Sequence, residues 1–280
     1  MTDAGRLAPV RPLAFAGSWY DADPSRLARD VEAWLADVPQ VASRPVALVA
    51  PHAGLRYSGR IAAFAYATLG GTALDAVVLI GPSHYAAFPG CAMLRRGALA
   101  TPWAMLPIHT TYAEALAGET PLVAAERREV HYGEHSLELH LPLLARVQPD
   151  VPVVPILMGT QSREVATALG EAIGRVFHGA AVVVAASSDL SHFHDRPEAR
   201  ALDAVVLDCF DRLDAPALLD ALAREPGHAC GGGPAAAAMI AARALGAAAG
   251  GVRQYGDSGD VSGDLDRVVG YASAVWTAPS

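Results

Sequence analysis

The chain has 280 residues, of which 52% are hydrophobic and 18% charged, and its formal net charge is -8. Such a length and apolar content allow a large buried core, while the acidic balance with no basic stripe excludes nucleic acid and anionic membrane as partners. The N-terminus lacks the apolar core of a signal peptide and no stretch reaches about 18 uninterrupted apolar residues, so the expectation is a soluble cytoplasmic protein.

The elements read as follows in chain order. Residues 1 to 22 read as an irregular arm, irregular above all over 1 to 15, with Trp19 and Tyr20 placed to cover a core edge. Asp23 caps an amphipathic helix that has Pro24 at its first position and Leu27, Val31, Trp34 and Leu35 at helical spacing. A strand over 46 to 50 follows, then a helix expected to be capped by Ser58 and to stop at Gly70-Gly71, then a strand over 76 to 81. The strand-helix alternation recurs at 151 to 159, 162 to 177, 180 to 189 and 198 to 212, and a last strand spans 267 to 276. The stretch 86 to 130 is less regular, with one or two strands around "TPWAMLPIHT". Continuous Val/Ile/Leu strands alternating with helices predict one α/β domain over 1 to 280, with a mostly parallel or mixed sheet covered on both faces. The three cysteines, Cys91, Cys209 and Cys230, are an odd number and suit a reducing compartment.

In open α/β sheets, ligands bind beyond the carboxyl ends of the strands. Three apolar runs end in histidine motifs there: "LVAPHAG" delivers His52, "VLIGPSHY" delivers His84, and "VVVAASSDLSH" delivers Asp189 and His192. Several imidazoles in one crevice point to a divalent metal. Cys230, in the Gly-rich turn "HACGGGP" before a helix, is a candidate third ligand whose thiolate a helix N-terminus would favour, or else a small buried apolar residue. In "GEHSLELHLPLL", a helical reading puts His135 and Glu138 on one face and turns His140 away. This pair fits a supporting role in which a carboxylate orients a metal-bound imidazole, a zinc hydrolase site, or simple capping. Tyr57 joins the inventory, Arg56 either meets an anionic substrate or sits in solvent, and "YGDSGD" with Asp257, Ser258 and Asp260 reads as turn chemistry. His109, His131, His178, His194 and His228 take structural readings by default.

Taken together, "AGSWY", "PHAGLRYSG", "GPSHY", "HSLELHLP", "SSDLSH", "CG" before a helix and "SGD...VVGYASA" resemble the Memo family, which includes the bacterial AmmeMemoRadiSam system protein B. The motifs run in order from residue 16 to 274. The resemblance implies an α/β/α sandwich similar to class III extradiol dioxygenases, which are non-heme Fe(II) enzymes. It implies His52 and His84 as metal ligands, Cys230 where the dioxygenases have a carboxylate, and His192 with Asp189 as the acid/base pair. Fe(II) is the leading metal by this resemblance, but a thiolate in the ligand set also admits Cu or Zn. It further implies association with radical-SAM and AMMECR-type proteins. Three functions follow as expectations: a metal-dependent redox enzyme with a small-molecule or peptide ligand in the cleft, a non-catalytic module docking a peptide or protein there, and a zinc hydrolase built on His135 and Glu138.

Overall fold

The computed structural model describes residues 9–39, 44–123 and 126–279. In chain order the elements are β1 (Val10–Arg11), α1 (Pro24–Ala36), β2 (Arg44–Ala50), α2 (Leu55–Tyr66), β3 (Ala76–Pro82), β4 (Cys91–Met93), β5 (Ala98–Ala100) and β6 (Met105–Pro107). They continue with α3 (Thr110–Glu119), α4 (Arg128–Tyr132), α5 (Leu141–Val147), β7 (Val153–Met158), α6 (Arg163–Val176), β8 (Val182–Ser187), β9 (His192–His194) and α7 (Arg196–Asp211). The last are α8 (Ala215–Arg224), α9 (Gly232–Ala244), β10 (Ala249–Asp257), α10 (Gly259–Ser262) and β11 (Val268–Ala278).

The main sheet runs β10-β11-β2-β8-β3-β7-β4, and β9 pairs with β11 off that path. The four central strands are parallel, whereas β10, β11 and β4 pair antiparallel, so the sheet is mixed with a parallel heart. Alternate side chains of a strand leave on opposite faces, and both faces are buried here. Ala76, Val78 and Ile80 of β3 join one core with Val165, Leu169, Phe210 and the alanines of α9, while Val77 and Leu79 join a second core with Leu27, Val31, Tyr66 and Leu141. This is the expected α/β/α sandwich. Among the described residues no helix is long and apolar enough to cross a membrane.

Several expectations shift. Helix α2 starts at Leu55 behind Gly54, so Ser58 lies inside it and donates from Oγ to the Ala53 carbonyl instead of capping it. The arm is not wholly irregular: β1 pairs with β5 in a separate sheet of order β1-β5-β6. The sequence pattern does not mark strand β10, because its Gly-rich start, "AGGVRQYGD", has weak strand propensity; its pairing along β11 supplies what local preference lacks. Asp257 thus closes a strand, and only Ser258 onward forms a turn and short helix. The irregular middle holds three short strands, β4 to β6, and the helix α3.

Candidate metal cleft

Because β2, β3 and β8 run parallel, their carboxyl ends open on one edge, and the polar motifs collect there. The cleft at this edge has a volume of about 460 Å³ and is lined by His52, His84, His135, Asp189 and His192, with Trp19, Tyr57 and Phe193 among its walls.

His52 sits at the centre and is 1% exposed. Its Nδ1 lies 2.6 Å from Ser187 Oγ, and that hydroxyl gives its one proton to the Ser136 carbonyl at 2.6 Å. Ser187 therefore accepts from His52 Nδ1–H, which leaves Nε2 with the free lone pair. Burial, and then the neighbouring His84, His135, His140 and His192, hold its pKa well below the usual histidine range, so the ring is neutral. Two groups of potential ligand atoms share this residue, each with its atoms within 4.8 Å of one another: His52, His84 and His135, and His52, Asp189 and Cys230. His84 and Cys230 fall in different groups, joined through His52.

On one side, Cys230 Sγ lies 3.2 Å from His52 Nε2 and 3.7 Å from the Asp189 carbonyl. Gly231 makes this possible: a Cβ there would stand 2.0 Å from the Ser187 carbonyl oxygen, so only glycine lets the start of α9 approach the end of β8 so closely. The helix N-terminus does not favour the thiolate here as expected from the sequence. Burial, and then the Asp189 carboxylate, push the thiol well above its ordinary pKa. Asp189 Oδ1 accepts from the backbone N–H of His52 at 2.7 Å and of Ala53 at 3.2 Å, fixing the turn after β2. Burial outweighs these bonds and raises its pKa to about 7. His192 Nδ1–H donates to the Leu190 carbonyl at 2.8 Å rather than to Asp189, so its Nε2 holds the lone pair, and burial lowers its pKa.

On the other side the organiser is Glu134, which nothing in the sequence pattern marks. Its carboxylate accepts from His84 N–H at 2.6 Å and His84 Nδ1–H at 2.9 Å, and lies 3.2 Å from His135 Nδ1. Burial alone would raise this carboxyl, but the bonds from His84 and Ser136 bring it below its ordinary value. His135 is stacked on His84 with centroids 4.3 Å apart, and Trp19 leans on its other side at 4.3 Å. Burial lowers its pKa to about 4.

Glu138 does not share a helix face with His135, since helix α5 begins only at Leu141 after a tight turn over Glu138–His140. Its carboxylate is fully buried and accepts from Arg11 at 2.6 Å, Phe15 N–H at 2.9 Å and Tyr20 O–H at 2.7 Å. It anchors the N-terminal arm, including the segment that brings Trp19 to His135, and does not orient an imidazole. The zinc hydrolase built on His135 and Glu138 falls with this geometry, because a carboxylate saturated by a buried guanidinium has no free base to offer. His140 is buried behind the site and does not line the cleft, its Nδ1 2.8 Å from the Tyr66 hydroxyl. Tyr57 lines the cleft, and the Arg56 guanidinium lies over its ring at 5.9 Å. Away from the site, His109 caps α3, His131 bonds Ala92, His194 pairs with Glu198, His228 bonds Leu202, and His178 lines a pocket with Arg44 and Thr72.

Phe193 carries a φ of 63°, a left-handed conformation that costs a non-glycine residue on the order of 1 kcal/mol. Neither it, Glu134 nor Ser187 stood out in the sequence. For Glu134 the signal was its place directly before His135; for Ser187 it was the first serine of "SSDLSH".

The fold and the cleft define an α/β sandwich with a donor-rich pocket at its parallel strand ends. The chain belongs to the Memo family: the Memo-like protein family model matches residues 11–275. A MEMO1 family protein of Methanothermobacter thermautotrophicus is 34% identical over 275 residues, covering 94% of this chain and 99% of the relative. One from Methanopyrus kandleri is 35% identical over 280 residues, covering 95% and 98%. An uncharacterized protein from Escherichia coli K12 has a solved structure of similar fold, with a TM-score of 0.56 at 15% identity over 83% of this chain and 99% of that one.

Proposed function

We propose that the protein is a metal-dependent redox enzyme that holds its ion at His52 and His84 and binds a small molecule in the adjoining cleft. The observation that carries this reading is the paired presetting of the two imidazoles. Ser187 holds one Nδ1 and Glu134 the other, so both free lone pairs belong to Nε2 atoms at the cleft. The ring planes of His52 and His84 cross at 73° with centroids 5.1 Å apart, so the two are neighbours without being stacked. The donors present fit a borderline or soft ion, Fe(II) first, with Cu or Zn as the alternatives a nearby thiol admits. Such an ion supplies Lewis acidity and, for Fe or Cu, a one-electron couple.

The chain's own groups serve the remaining roles. His192 is neutral with Nε2 unprotonated, which suits it to take a proton from a ligand in the cleft. Asp189, with a pKa of about 7, exchanges a proton near neutrality. Cys230 touches His52 at 3.2 Å and provides the third donor that family resemblance assigns to it, once it loses its proton.

The test is anaerobic reconstitution with Fe(II), followed by O2-uptake measurements across a panel of small reductants. Uptake that depends on the metal and falls at least 100-fold in His192→Gln supports the enzyme. Metal binding without turnover of any reductant, together with partner capture that survives His52→Ala, would favour the non-catalytic docking module instead.

A further inference from the structure

Strand β9 pairs with β11 through an irregularity: His194 faces Val268 and His192 faces Val269, so two steps of β9 span one step of β11. Phe193 is the extra residue, the bulge position that in its left-handed form ordinarily takes glycine. Among the described residues, the other non-glycine with positive φ is Leu213, which follows the last turn of α7, where left-handed residues are usual. Phe193 has no such excuse. Its side chain is not drawn inward by the core either, since the residue is 61% exposed. What the distortion achieves is direction. Successive strand side chains leave on opposite faces, yet His192 and Phe193 both line the cleft.

The ring has a cation over it. The Arg267 guanidinium lies 5.2 Å from the Phe193 centroid, as Arg56 lies 5.9 Å from that of Tyr57, the other exposed aromatic in the cleft wall. Neither arginine has a carboxylate within 4.0 Å among the described residues. Each guanidinium therefore lies against an aromatic of the cleft wall with its charge not taken up by a carboxylate.

We propose that Phe193 is a specificity-determining wall, and that the cleft selects a small organic anion whose flat apolar body lies against Phe193 and Tyr57 while Arg56 and Arg267 attract its charge. The inference deepens the metal-cleft reading by naming its ligand class, and rests on it only for the reaction.

Binding of benzoate, phenyl phosphate, benzyl alcohol and acetate to the full chain, with and without Zn(II), tests it by calorimetry or saturation-transfer NMR. Whichever of benzoate or phenyl phosphate is preferred identifies the head group, and it is expected to bind at least fivefold more tightly than benzyl alcohol and acetate. Phe193→Ala and Phe193→Gly are each expected to weaken it at least fivefold, and Arg267→Gln to abolish its advantage over benzyl alcohol. Because glycine relieves the backbone, Phe193→Gly is expected to melt about 2 °C above Phe193→Ala. Equal binding of all four probes, or binding unchanged by the Phe193 substitutions, overturns the proposal. A Phe193→Gly variant that melts no higher than Phe193→Ala removes the strain on which it stands. Probe binding without any uptake of Zn(II) would sink the metal reading and leave this one standing; Zn(II) uptake without probe binding does the reverse.

Discussion

The two flanks of His52 are built by different means. The Cys230 flank belongs to the doubly wound heart of the sheet, where β8, the start of α9 and the turn after β2 meet, and its contacts are short-range consequences of strand order. The Glu134 flank hangs on the irregular connection between β3 and α5 and is backed by the N-terminal arm. Strand order brings the first flank together and Asp189 and Gly231 only trim it; the second, with no strand order behind it, needs a whole set of buried polar struts. The lesson is that a site at strand ends inherits half its geometry from the fold, and the other half must be held in place by carboxylates.

That contrast can be broken at several points. The largest effect is expected from Glu138→Ala, which leaves Arg11 buried without its counter-ion and should destabilise the protein by about 3–5 kcal/mol, read as a lower urea midpoint. Since Glu138 anchors the arm, metal affinity measured on the folded fraction should fall less than stability does. Glu134→Gln strikes the struts directly and is expected to weaken metal binding about 10–100-fold while leaving the fold intact, which competition with a chromophoric chelator measures. Gly231→Ala probes the opposite flank: the added methyl has to displace the Ser187 carbonyl it would meet at 2.0 Å, costing about 1–3 kcal/mol by thermal unfolding.

A smaller and more distributed effect comes from pH. Burial holds His131 and His140 down to about 3, so the unfolded chain binds protons at these sites below about 6.5 that the folded chain refuses. Their contribution is complete above pH 6.5 and is lost as pH falls from there towards 3, at about 1.4 kcal/mol per pH unit for each net proton. Asp189, raised to about 7, acts with the opposite sign: its contribution is present below pH 4 and is lost as pH rises through 7. Histidines outnumber it, so stability measured by urea titration should rise from pH 4.5 to 6, and the slope should lessen in His140→Gln.

How legible these flanks were in the sequence follows the same division. The parallel strands announced themselves as apolar runs, and the residues at their ends, His52, His84, Asp189 and His192, were readable because a parallel sheet must bring such ends together. Cys230 was readable through the glycines after it. Glu134 was hidden because its partner His84 lies 50 residues away, across a stretch with no regular periodicity. Glu138 is misleading in the sequence because a helical spacing runs through residues that form a tight turn, and because its true partner, Arg11, lies 127 residues away in the arm. Phe193 was invisible, since a backbone bulge leaves no trace in side-chain pattern when a phenylalanine stands where glycine would have signalled it.

The most direct measurement is metal content at equilibrium. The 280-residue chain dialysed anaerobically against Fe(II) or Zn(II) should retain one ion per chain by mass spectrometry, and His52→Ala should retain none under the same conditions. A wild-type chain that emerges without metal, or a His52→Ala chain that keeps its ion, would contradict the claim that this imidazole is the hinge between the two flanks.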